Sequence, residues 1–425
     1  GDVYATSKLS GYFRMVRNRD TQDALYQGIQ WSESTTKKGA TMAQNHTNPG
    51  EGEAVSATYV FTPNTINQFT FGHSHNEWTY WTKDHTLIDR SLFGNVPWLF
   101  PDKKRIDQFD EPMQINAMHN FIPSVSFGGG ARPNPASIGL GGYYAAYFNW
   151  NDAYVIQDNF SKIVGRHSFK AGIYAEKNLK TQPVNNAWNG SFSFNSDANN
   201  PLNSNDGYAN ALLGNFTTYT ESNFRPVFKA TFWNFDFYIQ DNWRVTRRLT
   251  LDIGIRMVHQ QPQYDQYKTF TVFREELYSP AKMPRMYVPY CDVASSGTCP
   301  SGHRFARDPG TGALAPQTVI GLFVPNSGDP ATGMQVLGVG GVSRYSHTMR
   351  TFAPGPRVGF AWDVLGNGKL AVRGGFGIMY DRLEGNQVYN MSGVPPLTYI
   401  PIVYYNTIAA LAGGRRNRAA RSDQH

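Results

Sequence analysis

A run of histidine and acidic side chains at alternate positions is where metal chemistry would be easiest to build. His73 and His75 are followed by Glu77, and His85 comes shortly after. Alternate side chains of a β-strand point to one face, so two imidazoles and a carboxylate could meet a metal ion. The competing interpretation, which we favour, is a strand end that leaves a membrane through polar and aromatic residues. We therefore predict no metal site here.

The two cysteines of the chain, Cys291 and Cys299, stand close together in the segment CDVASSGTC. Such spacing within a loop favours a local disulfide, which implies an oxidising compartment. The alternatives are two free thiols or half of a metal site. A zinc site would need two further ligands, and only His303 lies nearby. We expect the disulfide.

Residues that could carry catalysis do not stand out. Acidic residues are scattered, and none of their spacings recommends a general acid paired with a general base. The glycine-rich segments GGFG and GVGG do not link a strand to a helix, as a phosphate-binding loop requires. We predict neither catalytic residues nor a cofactor.

Ligand contacts are expected instead from aromatic and amide side chains in the loops. Aromatic rings that can stack and amides that can form hydrogen bonds suit carbohydrate or peptide. The candidates are Tyr143, Tyr144, Trp188 and Asn189.

The elements that would position these loops are long amphipathic strands. In residues 231–260, apolar and polar residues alternate with period two on both arms of a hairpin. Each arm exceeds the roughly five or six residues of an ordinary strand. A strand with one apolar face and one polar face suits a sheet that separates lipid from water. The aromatic residues predicted to face lipid are Trp233, Phe235, Phe237, Trp243, Phe360 and Trp362.

Short turns alternate with long connections along the chain. Four hairpins are predicted, in residues 54–75, 154–173, 231–260 and 356–381. The connections between them, residues 81–143, 179–230 and 262–352, are rich in Pro, Gly, Asn and Ser. Such asymmetry is typical of an outer-membrane barrel with short periplasmic turns and long extracellular loops. One connection contains a possible strand at 191–194 and a helical turn at 208–213 that ends at Gly214.

The sequence thus predicts an all-β fold, a partial antiparallel transmembrane β-barrel of about 10–14 strands. Residues 1–53 supply N-terminal strands and a loop, 54–382 the barrel hairpins, and 383–425 a truncated barrel segment with a basic tail. The net charge of +7 is spread along the chain, so no basic stripe indicates nucleic acid. The chain opens without a basic start or an apolar run, so we expect the N-terminus of an exported protein to lie upstream.

Three segments in this order resemble the TonB-dependent outer-membrane receptors, in particular the Oar-like group: GSFSF…DGYANALLGNF, FYIQDNWRVTRRLTLDIGIR and PRVGFAWDVLGNGKLAVRGGFGIMYDR. The resemblance covers residues 54–382. It implies a large barrel, normally of about 22 strands around a plug, that imports ligands with energy from an inner-membrane complex. No plug or energy-coupling box is recognised, so the resemblance is to the barrel portion only.

Three functions are weighed from the sequence. The first is an outer-membrane receptor barrel that binds an extracellular ligand for uptake. It would contact outer-membrane lipid and, through a missing plug, the inner-membrane energy-coupling complex. The second is a structural or adhesive surface barrel that displays its loops. The third is a soluble carbohydrate-binding β-protein, which would need no detergent.

Overall fold

Strands make up most of the molecule. A computed structural model describes residues 1–24, 44–82, 90–93, 96–100, 121–129, 146–294, 299–300, 302–383 and 385–411. The strands are β1 (Asp2–Tyr4), β2 (Leu9–Asn18), β3 (Thr21–Ala24), β4 (Gln44–Thr47), β5 (Gly50–Thr62), β6 (Thr65–Thr82), β7 (Ser124–Gly128), β8 (Ala146–Val164), β9 (His167–Pro183), β10 (Ser191–Asn195), β11 (Asn215–Thr220), β12 (Val227–Arg244), β13 (Leu249–Gln260), β14 (Tyr264–Asp265), β15 (Thr271–Phe273), β16 (Val288–Cys291), β17 (Arg304–Arg307), β18 (Leu314–Pro316), β19 (Met334–Val336), β20 (Ala353–Asp363), β21 (Ala371–Gly377) and β22 (Ile402–Thr407).

In the described part of the chain, helices are few and short. They are α1 (Gly207–Leu212), α2 (Gly385–Tyr389) and α3 (Ile408–Leu411), with 3-10 turns at Arg90–Phe93, Glu275–Leu277, Pro280–Lys282 and Gln317–Val319. Within the described part of the chain, no helix is both long enough and apolar enough to cross a membrane.

Thirteen strands form one antiparallel sheet, which we call the wall. Its order is β1-β2-β5-β6-β8-β9-β12-β13-β20-β21, and β3, β4 and β14 pair beside this path. Neighbours along the chain pair through the four predicted hairpins. In the described residues β1 and β21, the first and last strands of this order, do not pair with each other. The strand number falls within the predicted range.

Local chemistry fixes the turns of the wall. Gly366 and Gly368 have positive φ angles of 72° and 74°, a conformation that suits glycine. The carboxylate of Asp363 accepts both of their N–H groups, each at 2.9 Å, and closes the turn between β20 and β21. Between β12 and β13, the hydroxyl of Thr246 accepts the N–H groups of Arg248 and Leu249 at 3.1 and 3.0 Å. These contacts set the register of the two hairpins.

The wall has one apolar face and one polar face. Directly paired residues share a face, so Phe237 lies beside Ile173 and Met257, and Leu251 beside Phe360. Five of the six aromatic residues predicted to face lipid are 38% to 45% exposed on this face: Trp233, Phe235, Phe237, Phe360 and Trp362. Among the described residues no second sheet covers them, although Phe352 packs against Phe235 and Phe237, with ring centroids 6.4 and 5.4 Å apart. The sixth, Trp243, is half-buried and stacks on His167, with ring centroids 5.3 Å apart.

Two acidic residues interrupt the apolar face, each with a polar partner. The carboxylate of Asp241 accepts from the imidazole Nδ1 of His167 at 2.6 Å, and that of Asp158 accepts from the amide of Asn67 at 3.2 Å. Both lie toward the short-turn end of their strands, where a membrane-spanning segment reaches the interface and a charge costs less.

The disulfide between Cys291 and Cys299 is present, as the sequence predicts. It joins the end of β16 to the segment before β17, and the pairs β16–β17 and β17–β18 form a small separate sheet.

Replacing both cysteines with serine is expected to lower the free energy of unfolding of this sheet by about 2 kcal/mol. The loss is modest because the loop that the disulfide closes is short. Hydrogen exchange at β17 would measure the loss, and unchanged exchange in the double variant would contradict it. Reduction of the wild type should reproduce the effect.

Candidate functional site

Segments from several long connections meet at one end of the wall and form what we call the cap. Its four-stranded sheet has the order β22-β11-β10-β7. Strand β7 belongs to the connection between β6 and β8, β10 and β11 lie between β9 and β12, and β22 follows β21. The pair β10–β7 is parallel, whereas the other pairs are antiparallel. Residues 402–407 of the C-terminal segment therefore pair in the cap and not in the wall.

A packed aromatic core holds the cap together. Phe192 contacts Phe216 and Tyr219, with ring centroids 5.4 and 4.3 Å apart. All three are almost completely buried. The cluster is completed by Val96, Phe194, Val403 and Leu411. Because its members come from distant parts of the chain, the core fixes the long connections relative to one another.

Helix α1 begins and ends where the sequence places it within about one residue. Asp206 caps its N-terminus by accepting the N–H groups of Tyr208 and Ala209 at 2.9 and 3.0 Å. Gly214, with a φ angle of 75°, follows its C-terminus. The segment DGYANALLG therefore carries its own start and stop signals.

A buried charged pair links the first long connection to β11. Arg90 is 2% exposed and Glu221 0%, with 4.0 Å between their nearest charged atoms. The hydroxyl of Tyr219 lies between them: it accepts from Arg90 at 3.2 Å and donates to Glu221. Burial, and then the charge of Glu221, raise the pKa of Tyr219, which keeps the phenol protonated as a donor.

Both members of this pair have further partners. The guanidinium of Arg90 donates to the carbonyls of Val96, Pro97 and Asn189 at 2.6, 3.0 and 2.8 Å. The carboxylate of Glu221 accepts the N–H groups of Leu99 and Phe100 at 3.0 and 3.1 Å. These hydrogen bonds reduce the cost of burying two charges.

Below the cap, the polar face of the wall carries a network around Glu176. Its carboxylate accepts from Tyr174, Asn178 and Asn234 at 3.0, 2.6 and 2.8 Å. Next to it, Arg256 donates to Asp236 at 2.9 and 2.5 Å. Asp236 is 7% exposed, and its second carboxylate oxygen has no hydrogen-bond partner among the described residues. A ligand that passes this face would meet both carboxylates and amides.

The segment after β21 crosses this polar face on its way to the cap. Tyr380 donates to the carbonyl of Pro354 in β20 at 2.9 Å. Further on, Tyr389 in α2 stacks on Phe228 of β12, with centroids 4.9 Å apart, and its ring lies 5.0 Å from the Lys180 ammonium of β9. We call residues 378–383 and 385–391 the strap, because they run from β21 back to β9.

The residues predicted to bind ligand are placed as follows. Trp188 is 5% exposed and lies inside the cap, so its ring has almost no face open to solvent. The carbonyl of its neighbour Asn189 accepts from Arg90, and the buried side-chain oxygen of Asn189 has no hydrogen-bond partner within the residues that the structure describes. Tyr143 and Tyr144 lie outside the described residues. Ligand contact at these positions stays a prediction.

The histidine-rich segment lies on the apolar face near the long-connection end of β6. His73 pairs with Glu53 at 2.9 Å, and His75 with Asp152 at 2.7 Å and with Glu77 at 3.3 Å. Over the described ranges, no group of three or more such side chains is placed to hold a metal ion. His85 lies outside those ranges. The cluster is an alternation of imidazoles and carboxylates where the strand leaves the apolar region.

A histidine close to the strap should make the adjoining loop sensitive to pH. Partial burial, and then the positive charge of Arg382, lower the pKa of His347 from its ordinary value of 6.5. The unfolded chain then binds a proton more tightly than the folded protein does. The free energy of unfolding is therefore highest above the ordinary pKa and falls as the pH drops through the lowered pKa of the folded protein. We expect a small fall in the unfolding midpoint from about pH 7.5 to about pH 5, absent in His347→Gln. Equal falls in both proteins would contradict this.

Sequence patterns could not reveal the most strongly connected residues of the site. Arg90 and Glu221 stand in unrelated connections, and Arg382 follows the last wall strand. Arg90 and Glu221 belong to no repeating pattern or motif, and Arg382 only ends the segment PRVGFAWDVLGNGKLAVRGGFGIMYDR, in which nothing marks it as a contact residue. The buried pair is visible only after two connections have been brought together in space.

An antiparallel wall with alternating faces, short turns at one end and a loop-built cap at the other defines a β-barrel protein of the outer-membrane type. Residues 1–419 match the family model for the outer membrane beta barrel domain, and the chain belongs to that family. It is therefore a protein of the Gram-negative outer membrane, with the turns toward the periplasm and the cap outside.

Solved structures with some similarity are also outer-membrane proteins. The outer membrane transporter YddB from Escherichia coli is 11% identical over 85% of this chain and 37% of that one, with a TM-score of 0.34. The ferric-catecholate import receptor Fiu from E. coli K12 in its closed form is 12% identical over 87% and 48%, with a TM-score of 0.28. This chain spans less than half of their length, and likeness at this level carries no argument about function. No curated protein matches the chain.

Proposed function

We propose that the chain is the barrel portion of an outer-membrane receptor, of the TonB-dependent and Oar-like kind, that binds an extracellular ligand for uptake. The observation that carries the proposal is the cap. Elements from separate connections are folded into one core with a buried charged pair, and the strap continues this structure over the polar face. A pre-formed surface of this kind suits selective binding better than independent mobile loops do.

The polar face supports the same proposal. Glu176, Asp236, Arg256 and Asn234 provide acceptors and donors directly below the cap, in the direction that an imported ligand would take. Uptake would require a plug and contact with an inner-membrane energy-coupling complex, and both are part of the proposal. The chain itself performs no covalent chemistry in this proposal.

Gene deletion in the host would test uptake. We expect slower growth of the deletion strain when one nutrient class, such as a carbohydrate, a peptide or a chelated metal, is limiting, because the receptor no longer concentrates it. The wild-type gene should restore growth. Unchanged growth on every nutrient class, together with reduced attachment to surfaces, would favour the alternative of an adhesive or structural barrel.

A further inference from the structure

Arg382 is the main polar contact between the strap and the wall. Its Nε donates to Oδ1 of Asn234 at 3.1 Å, and Nη2 donates to the same oxygen. Nη1 donates to the carbonyl of Gln261 at 2.9 Å, and Nη2 also reaches the carbonyl of Trp233 at 3.4 Å. The guanidinium carbon lies 3.9 Å from the ring centroid of Phe232. We call these four wall residues the socket.

We propose that the socket is a guanidinium-binding site that the chain fills with its own Arg382, so that the strap is held across the polar face by an exchangeable contact. A guanidinium group from outside would compete for the same atoms and release the strap. The inference goes beyond ligand uptake and applies equally to a barrel that only displays its loops.

The chemistry of the socket is matched to a planar cation with several donors. A guanidinium offers five N–H groups in one plane and no acceptor. The socket offers an amide oxygen and two carbonyl oxygens at the edge of that plane and the face of an aromatic ring against it. Arginine is the side chain that combines such hydrogen bonds with stacking on a ring.

The side-chain amide of Asn234 has a fixed orientation, so that the socket presents an acceptor and selects a hydrogen-bond donor. The nitrogen of the Asn234 side chain donates to Glu176 at 2.8 Å, so its oxygen is directed at Arg382. Burial of the guanidinium disfavours its charge, and the nearby carboxylate of Glu176 offsets part of that cost. No carboxylate among the described residues forms a direct salt bridge with Arg382, so the contact is held by neutral acceptors and can exchange with a competing cation.

Apart from Arg382, the first half of the strap is held to β20 by two hydrogen bonds: the N–H of Ile378 donates to the carbonyl of Pro356 at 3.0 Å, and Tyr380 donates to that of Pro354 at 2.9 Å. Ile378, Met379 and Leu383 are exposed, so burial of apolar surface contributes little there. The second half is different, because Val388 is buried in a cluster with Phe228 and Phe270. Loss of Arg382 should therefore free residues 378–383 and leave α2 in place.

Hydrogen exchange on the full chain in detergent micelles tests the proposal. In Arg382→Ala, we expect exchange in residues 378–383 at least about tenfold faster than in the wild type, because hydrogen bonds to a charged group are lost. In the wild type, methylguanidinium chloride, which matches the end of the arginine side chain, should compete for the socket and speed exchange in residues 378–383 toward the rate in Arg382→Ala. Sodium chloride at the same concentration should not.

Two further variants separate the socket from a general effect on folding. Asn234→Ala removes the central acceptor, so it should also free the strap but should not respond to methylguanidinium. Arg350→Ala replaces an exposed arginine in the loop before β20 and should behave as the wild type. Exchange in β10 and β11 shows in each case that the cap is folded. Unchanged exchange in Arg382→Ala, or wild-type exchange that methylguanidinium leaves unaltered, would overturn the proposal.

Discussion

Replacing Glu221 with alanine is expected to unfold the cap while the wall stays folded. The change leaves the guanidinium of Arg90 buried beside Tyr219 without its carboxylate, and the N–H groups of Leu99 and Phe100 lose their acceptor. Removing one member of a buried charged pair costs about 3–5 kcal/mol. That loss is a large fraction of the stability of an ordinary domain.

Hydrogen exchange resolved by segment would measure this effect. We expect strands β10 and β11 to lose protection in Glu221→Ala, whereas β8 and β9 keep it. The matched control is Glu276→Ala, which removes an exposed carboxylate of the third connection and should change neither region. A cap that keeps its protection in Glu221→Ala would show that the buried pair does not stabilise it.

A charge placed in the middle of the apolar face should strongly impair insertion of the wall into lipid. Phe237 lies between Ile173 and Met257 on that face, with Ile239 following two positions on. An arginine at the bilayer midplane costs about 2–4 kcal/mol in a transmembrane barrel. Phe237→Arg should therefore destabilise the protein folded in lipid vesicles, reducing its free energy of unfolding by about 2–4 kcal/mol.

The matched control for this prediction lies on the neighbouring polar face. Gln240→Arg introduces the same side chain at nearly the same height on β12, but toward the polar interior, and should cost much less. Denaturant titrations in vesicles would give both values. Equal losses at the two positions would mean that the faces are not distinguished by lipid, and the orientation of the wall would have to be reversed or abandoned.

The wall could be predicted from sequence because its signals are local. Alternation along β12 and β13 identifies both strands and their faces, and residues such as Asp363, Gly366 and Gly368 specify a turn on their own. Since each hairpin pairs neighbours in the chain, correct turns imply most of the sheet order. The start and stop of α1 were predictable for the same reason.

The cap could not be predicted because its contacts join distant segments. The parallel pairing of β7 with β10 and the pairing of β22 with β11 leave no periodic trace in any one segment. Trp188 illustrates the difficulty: Asn and Gly around it suggest an exposed loop, yet it is buried by residues from other connections. Arg382 likewise reads as an ordinary charged residue until the strap is seen to cross β12.

The pairing of β22 with β11 has a consequence for the order of assembly. The hydroxyl of Thr220 donates to the carbonyl of Pro401, a residue 181 positions away, and two wall hairpins lie between the two strands in the chain. Hairpins close quickly because their partners are adjacent, whereas distant partners must wait until the intervening chain has been organised. The outer surface should therefore mature last, so that a newly inserted molecule has its transmembrane strands in place before it can recognise anything.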